Sequence, residues 1–319
     1  MSDVALHDRF FKTTLGDPNR LGQVLGAFLP PDLSSSLDVR SLTSLSSEMV
    51  GDGLDVSFMD MAFSAKFNGD WGRIHLIVEH KSDPDASVHF QIIHYLTGLW
   101  DRERKEGRTP LPILPVVFHH GRRPWNVPER LVDVLAPPLS LVPYTPDFKF
   151  CVIDLWTISD EKIRFLIHDR NVILSLLFLK HIFEGVQSTL RHVIEEMRNS
   201  RTPSGIMKTG IEYMSRVHGI DSPLELKKYL DPIAKEANMA ESLIDTWMEE
   251  WVQKGVQQGR QEGRLEGRQE GRQEGRQEER EINMRNLLLL GTLSHEQIAT
   301  ALNVPVETVL RLAQTLKTS

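Results

Sequence analysis

Residues 54–81 read LDVSFMDMAFSAKFNGDWGRIHLIVEHK, two apolar, β-prone runs separated by Asn68, Gly69, Asp70 and Gly72. Turn-forming residues between two such runs predict a β-hairpin. Charged residues interrupt the pattern at chosen places: Asp60 within the first run, and Glu79 with Lys81 at the end of the second. Folding about the Gly69-Asp70 bond sets Asp60 opposite Glu79. Folding about Asn68-Gly69 instead staggers Asp60 by two residues but keeps it on the same face, because side chains alternate along a strand. A one-residue bulge would reverse the parity and separate the groups.

Two carboxylates and an ammonium on one side of an apolar sheet are costly unless something compensates them. A hard divalent cation does so: Mg²⁺ takes one or two carboxylates and completes its shell with water and substrate phosphate. A lysine beside it can orient the attacking water and offset charge developing on phosphorus. The chemistry that fits is hydrolysis of a phosphodiester.

Asp60, followed after the hairpin by Glu79-His80-Lys81, resembles the D…ExK core of the PD-(D/E)XK nuclease superfamily. More narrowly, HDRFFKTTLGDPNRLGQVLGAFLP, IVEHKSDPDASVHFQIIHYL and LPILPVVFHHGRRPWN occur in the order seen in the bacterial Rpn family of recombination-promoting nucleases or transposase-like proteins. Many relatives carry EHQS where this chain has EHKS, so Lys81 restores the superfamily's usual lysine. The proline that often precedes the first aspartate is replaced by Met59. The resemblance implies an α/β, restriction-endonuclease-like mixed sheet core flanked by helices, a Mg²⁺ or Mn²⁺ cofactor held by Asp60 and Glu79, catalysis assisted by Lys81, and DNA as substrate. Gln91 stands where the family places a polar residue and is expected to orient water or phosphate, or else to be a glutamine at the core edge. Asp8 is a candidate accessory acid from the first helix, or a first-turn residue exposed to water. Arg122 and Arg123 are candidate contacts to the DNA backbone.

The chain carries 37 basic and 44 acidic residues, a net charge of −7, which argues mildly against a nucleic-acid partner and confines any phosphate binding to local clusters. Its one cysteine, Cys151, excludes an internal disulfide and is read as a buried, inert thiol. The longest apolar runs, such as VILSLLFL at 172–179, fall far short of the roughly 20 residues a bilayer span needs. With no basic segment leading into an apolar one at the start, a cytoplasmic location is expected.

Leu6, Phe10, Leu15, Leu21, Leu25 and Phe28 recur at helical spacing, with Asp17 placed to cap a helix starting at Pro18. The segment LDVRSLTSLSSEMV is a candidate edge strand. Ser82-Asp83-Pro84-Asp85 reads as a turn and N-cap before an amphipathic helix with Val88, Ile92, Tyr95, Leu96 and Leu99 on its apolar stripe. The mixed charges of DRERKEGRTP that end it are expected to be mostly solvated. PVVF and FKFCVIDLW are two further strands, and the adjacent His119 and His120 should point to opposite faces. The nuclease-like core is thus expected over residues 1–157.

The α-helical C-terminal region follows. A helical block over 158–252, with turns or helix starts at Thr202-Pro203, Ser222-Pro223 and Asp231-Pro232, shows no catalytic constellation. Residues 253–281 hold the tetrapeptide array GRQE, whose glycines cost about 1 kcal/mol each in a helix. Its like charges stack at i, i+4. That argues for a spacer or an oligomerisation stalk. Residues 282–319 suggest a helix-turn-helix-like hairpin in which Ser294 caps EQIATAL. The leading expectation is a metal-dependent DNA endonuclease acting in recombination, with possible homo-oligomerisation through the C-terminal repeat and helices. Its rival is an inactive nuclease-fold protein serving as a DNA-binding or assembly module, and RNA is a third possible substrate.

Overall fold

The computed structural model describes residues 3–45, 61–79, 86–197, 205–220, 222–236 and 282–318, with the single positions 249, 264, 268 and 279. The chain divides into two compact units, Met1–Trp251 and Val252–Ser319.

The first unit is α/β. Helices α1 (Asp3–Leu15), α2 (Pro18–Phe28) and α3 (Pro31–Ser36) lead into strand β1 (Leu37–Ser44). Asp17 accepts hydrogen bonds from the backbone N–H of Asn19 and Arg20 at 3.0 and 3.2 Å, satisfying two donors that α2 leaves open at its start. The hairpin follows as β2 (Met61–Phe67) and β3 (Asp70–Glu79). Asn68 (φ 51°) and Gly69 (φ 97°) are both left-handed, as a two-residue hairpin turn requires. Register runs unbroken from Phe67↔Asp70 to Met61↔Leu76, so the turn is Asn68-Gly69 and not Gly69-Asp70. The asparagine tolerates left-handed backbone because its short amide can bond locally.

Helix α4 (Ser87–Lys105) crosses over to β4 (Ile113–His119), which pairs parallel with β3. After the short α5 (Leu131–Leu135), β5 (Cys151–Asp154) pairs parallel with β4. The five strands lie in the order β1-β2-β3-β4-β5, antiparallel up to β3 and parallel beyond it. The expected edge strand is β1. Its pairing is irregular, because the chain takes five steps from Asp38 to Thr43 while β2 takes two from Lys66 to Ser64. Ser41 repairs the interrupted ladder by accepting the Lys66 N–H at 2.7 Å.

Alternation then sorts the strand side chains onto two faces. Val117, with Phe150 just before β5, packs against Val88, Ile92 and Leu96 of α4. Phe63, Ala65, Ile74, Val116, Phe118, Cys151 and Ile153 belong to the larger core on the other side. That core also takes in α1 and α2 together with α6 (Asp160–Leu166), α7 (Arg170–His181), α8 (Val186–Met197), α9 (Gly205–Val217) and α10 (Pro223–Glu236). The described residues of 158–236 therefore share one hydrophobic core with the sheet. Each fully buried Leu or Phe there stabilises the fold by roughly 1.5–3 kcal/mol relative to exposure.

One expectation needs correction. Asp231-Pro232 neither turns the chain nor starts a helix, for Pro232 lies inside α10. Leu226, Leu230 and Ile233 are buried on one stripe, and their packing keeps the helix going past the hydrogen bond that proline removes. The charges at the end of α4 are mostly solvated, with one exception. Glu103 is 6% exposed and pairs with Arg73 of β3 at 3.0 Å.

The second unit has a small core of Met284, Ile298, Ala299 and Val309. A helical stretch over 282–290 precedes α11 (His295–Leu302) and α12 (Val306–Thr318). Ser294 accepts the Gln297 N–H at 3.3 Å, and the Gln297 side chain accepts the Ser294 N–H at 2.9 Å, a reciprocal cap. Of the GRQE array, only Arg264, Arg268 and Glu279 are among the described residues. All three are helical and exposed.

Candidate functional site

The parallel half of the sheet ends in a row. Glu79 at the end of β3 is in register with His119 at the end of β4, and His119 with Asp154 at the end of β5. In open α/β sheets the carboxyl edge of parallel strands is where ligands are usually bound, since loops there can differ without disturbing the core.

Each member of the row is held differently. His119 is fully buried, and its Nε2 lies 2.8 Å from the Arg123 carbonyl, which accepts from it. Its ring meets Trp125 edge-on at 5.4 Å. Asp154 accepts the backbone N–H of Trp125 at 3.0 Å and of Trp156 at 3.1 Å, tying two loops to the strand end. Beside it opens a cleft of about 330 Å³, lined by Phe28, Trp125, Glu129 and Lys162 among others.

His120, one residue on, faces the opposite side, as strand alternation requires. Its ring lies 5.2 Å from His7 of α1 and stacks on Phe183 at 6.0 Å. His7 Nδ1 is 2.5 Å from the Tyr213 hydroxyl of α9. Burial pushes that hydroxyl well above its ordinary pKa, so it keeps its proton and can donate to the imidazole. Asp8 is 6% exposed, which rules out a first-turn residue in water. The Arg122 guanidinium lies over Phe183, 5.2 Å from its ring centre, and Arg122 and Arg123 are both exposed on the loop after β4. Gln91 is half-buried in α4 between the buried Val88 and Ile92.

Asp60 and Lys81 lie outside the described residues, as do Ser82-Asp83-Pro84-Asp85, Thr202-Pro203 and most of the tetrapeptide array. For Glu79 the structure gives the strand position. The described residues thus bring Glu79, His119 and Asp154 onto one sheet edge, and His7 and Asp8 onto the helix that packs near His120.

A cluster missed in the sequence lies in the helical block. Asp160, His181 and His192 offer ligand atoms all within 4.8 Å of one another. They come from three helices, so no local spacing announced them. The only signal was an acid at a helix start and two histidines in runs that otherwise read as core.

A family model described as "Putative transposase, YhgA-like" matches residues 5–204, well over half of the chain. The chain belongs to that family. Among curated relatives, it is 29% identical to the recombination-promoting nuclease RpnD of Escherichia coli O157:H7 over 181 residues, 55% of this chain and 67% of that protein. It is 28% identical to RpnA of Escherichia coli K12 over 193 residues, 60% of this chain and 64% of that one. It is 26% identical to a K12 relative named as an inactive recombination-promoting nuclease-like protein, RpnE, over 55% of this chain and 58% of that protein. The matches to RpnA and RpnE thus cover less than two thirds of those proteins. No solved structure matches the chain. Among the described residues no helix is long and apolar enough to cross a membrane.

Proposed function

We propose that this protein is a metal-dependent DNA endonuclease of the PD-(D/E)XK type, built on a restriction-endonuclease-like core. The observation that carries the reading is the position of Glu79, which ends β3 at the carboxyl edge of the parallel strands, in register with His119 and Asp154. The hairpin adds support, since its register stays unbroken to Met61↔Leu76 and no bulge intervenes before the residue that follows Asp60 in sequence. Relatives named as nucleases agree with it.

A carboxylate donor set fits a hard cation, and Asp60 and Glu79 would hold Mg²⁺ or Mn²⁺, which supplies charge neutralisation at the scissile phosphate. Lys81 would orient the attacking water and stabilise negative charge on the phosphoryl oxygens. Gln91 would hold that water or a phosphate oxygen, and Asp8 would assist from α1. Arg122 and Arg123, exposed beside the edge, would contact the DNA backbone and so set its position without reading sequence. One water is consumed: its oxygen bonds to phosphorus, the bridging P–O bond breaks, and the leaving oxygen takes a proton.

Purified protein incubated with supercoiled plasmid and Mg²⁺ or Mn²⁺ should nick or linearise it, and Asp60→Ala or Glu79→Ala should abolish cutting while the circular dichroism spectrum is unchanged. Full activity in both variants would overturn the assignment. A second reading, suggested by relatives named inactive, is a nuclease fold retained for binding or assembly. It predicts DNA retention in a mobility-shift assay with no metal-dependent cutting of DNA or RNA. Soluble, cytoplasmic action and self-association through the C-terminal repeat and helices belong to the same proposal, and sedimentation with and without residues 253–319 tests the latter.

A further inference from the structure

Asp160 opens α6, His181 closes α7 and His192 lies in α8, three helices that pack into the large core. Asp160 is 8% exposed and His181 4%. The Asp160 Oδ2 atom is 3.0 Å from His181 Nε2 and 2.9 Å from His192 Nδ1. The two imidazoles stack face to face, 3.6 Å between centres and 1° from parallel, so both aim a nitrogen at one carboxylate. His181 Nε2 also reaches Oδ1 at 3.0 Å, and Lys180 Nζ lies 3.2 Å from that oxygen while donating to the Ile158 carbonyl.

The far side of the rings is organised too. His181 Nδ1 is 2.8 Å from Glu184 Oε1, and His192 Nε2 is 4.0 Å from Glu184 Oε2. Ser188 donates to Glu184 Oε2 at 2.7 Å, and Thr189 donates to the His181 carbonyl at 2.7 Å. A carboxylate on the outer nitrogen of a histidine fixes its tautomer and raises the basicity of the inner nitrogen, the arrangement that supports metal-ligating histidines.

We propose that Asp160, His181 and His192 bind a single Zn²⁺ ion, with Glu184 orienting His181. Tetrahedral zinc with bonds of about 2.0–2.1 Å separates its ligand atoms by roughly 3.3 Å and lies close to the plane of each imidazole it bonds, so binding requires His192, the more exposed of the two, to turn out of the stack until both lone pairs meet at one point. Two imidazoles and one carboxylate oxygen suit a borderline cation better than Mg²⁺, which prefers an oxygen shell. Lys180 occupies the other Asp160 oxygen and keeps the carboxylate monodentate. Three protein ligands leave a fourth position for water. The ion has a route in, since Glu184 lines an open cleft of about 460 Å³ and the His192 side chain is 34% exposed. The site shares no residue with the proposed nuclease carboxylates.

The test is titration of tag-free, full-length protein with Co²⁺ in excess Mg²⁺, which fills hard-oxygen sites. One equivalent should give the visible absorption of tetrahedral cobalt, and Zn²⁺ should displace it. His192→Gln and Asp160→Asn should each weaken binding more than tenfold, and Glu184→Gln by about tenfold to a hundredfold. No cobalt band in the wild type, or a band unchanged in folded His192→Gln, overturns the proposal. Should the variants fail to fold, X-ray absorption of zinc-loaded wild type decides: two imidazole nitrogens with oxygen support the site, and an all-oxygen or sulfur-containing shell refutes it.

Discussion

Arg73 of β3 and Glu103 of α4 form an ion pair of 3.0 Å that is almost closed to solvent, the two side chains being 13% and 8% exposed. Arg73 also donates to Ser64 on β2, and Glu103 Oε2 accepts the Leu111 N–H at 2.9 Å just before β4. One pair therefore ties the hairpin, the crossover helix and the entry to the parallel strand. Removing one partner leaves a buried charge uncompensated. Glu103→Ala should lower stability by about 3–5 kcal/mol in urea unfolding, whereas replacing both residues by methionine should cost much less.

Helices α7 and α9 approach closely at Gly210, where any side-chain carbon would collide with the Phe178 ring. Gly210→Ala usually favours a helix, but here overpacking wins. A loss of about 1–3 kcal/mol is expected, and a Tm equal to or above that of wild type would show the helices can separate without cost.

Asp17→Ala removes the acceptor for two N–H groups at the start of α2. The loss should be near 1 kcal/mol, and Asp17→Ser should recover most of it.

Burial pushes the Cys151 thiol from its ordinary value near 9 to about 11. The folded chain then holds a proton that the unfolded chain has released. Stability should fall as pH rises from about 9 toward 11, and not below that window. At pH 8 a disulfide reagent should leave Cys151 unmodified in the native protein and react fully in denaturant, whereas fast native labelling would contradict the burial.

The hairpin was legible because turn chemistry and alternation agree at the same residues, yet Gly69-Asp70 and Asn68-Gly69 satisfied both rules in the sequence. Left-handed backbone at Asn68 and Gly69 decided between them. The α2 cap was equally local. Glu103 and the Asp160–His181–His192 cluster were not, because their partners lie 30, 21 and 11 residues away along the chain or on other helices. A charge that reads as solvated beside its neighbours becomes buried only when a distant strand arrives to meet it. Pro232 failed in the opposite sense, a strong local signal overruled by the buried stripe around it. Glu79 was legible as the charge closing the second apolar run, but its register with His119 and Asp154 could be known only once β4 and β5 were laid parallel to β3.

The irregular pairing of β1 has an effect beyond the chain itself. A straight outer strand offers free N–H and C=O groups to any neighbouring molecule as a template for one more strand. Here Asp38 turns its carboxylate onto the Arg40 N–H at 3.1 Å, and Ser41 donates its hydroxyl to the Asp38 carbonyl at 2.6 Å. The surplus residues between Asp38 and Thr43 spoil the spacing that an incoming strand would need. The margin of the sheet is thus protected against edge-to-edge aggregation by the same few side chains that bend it.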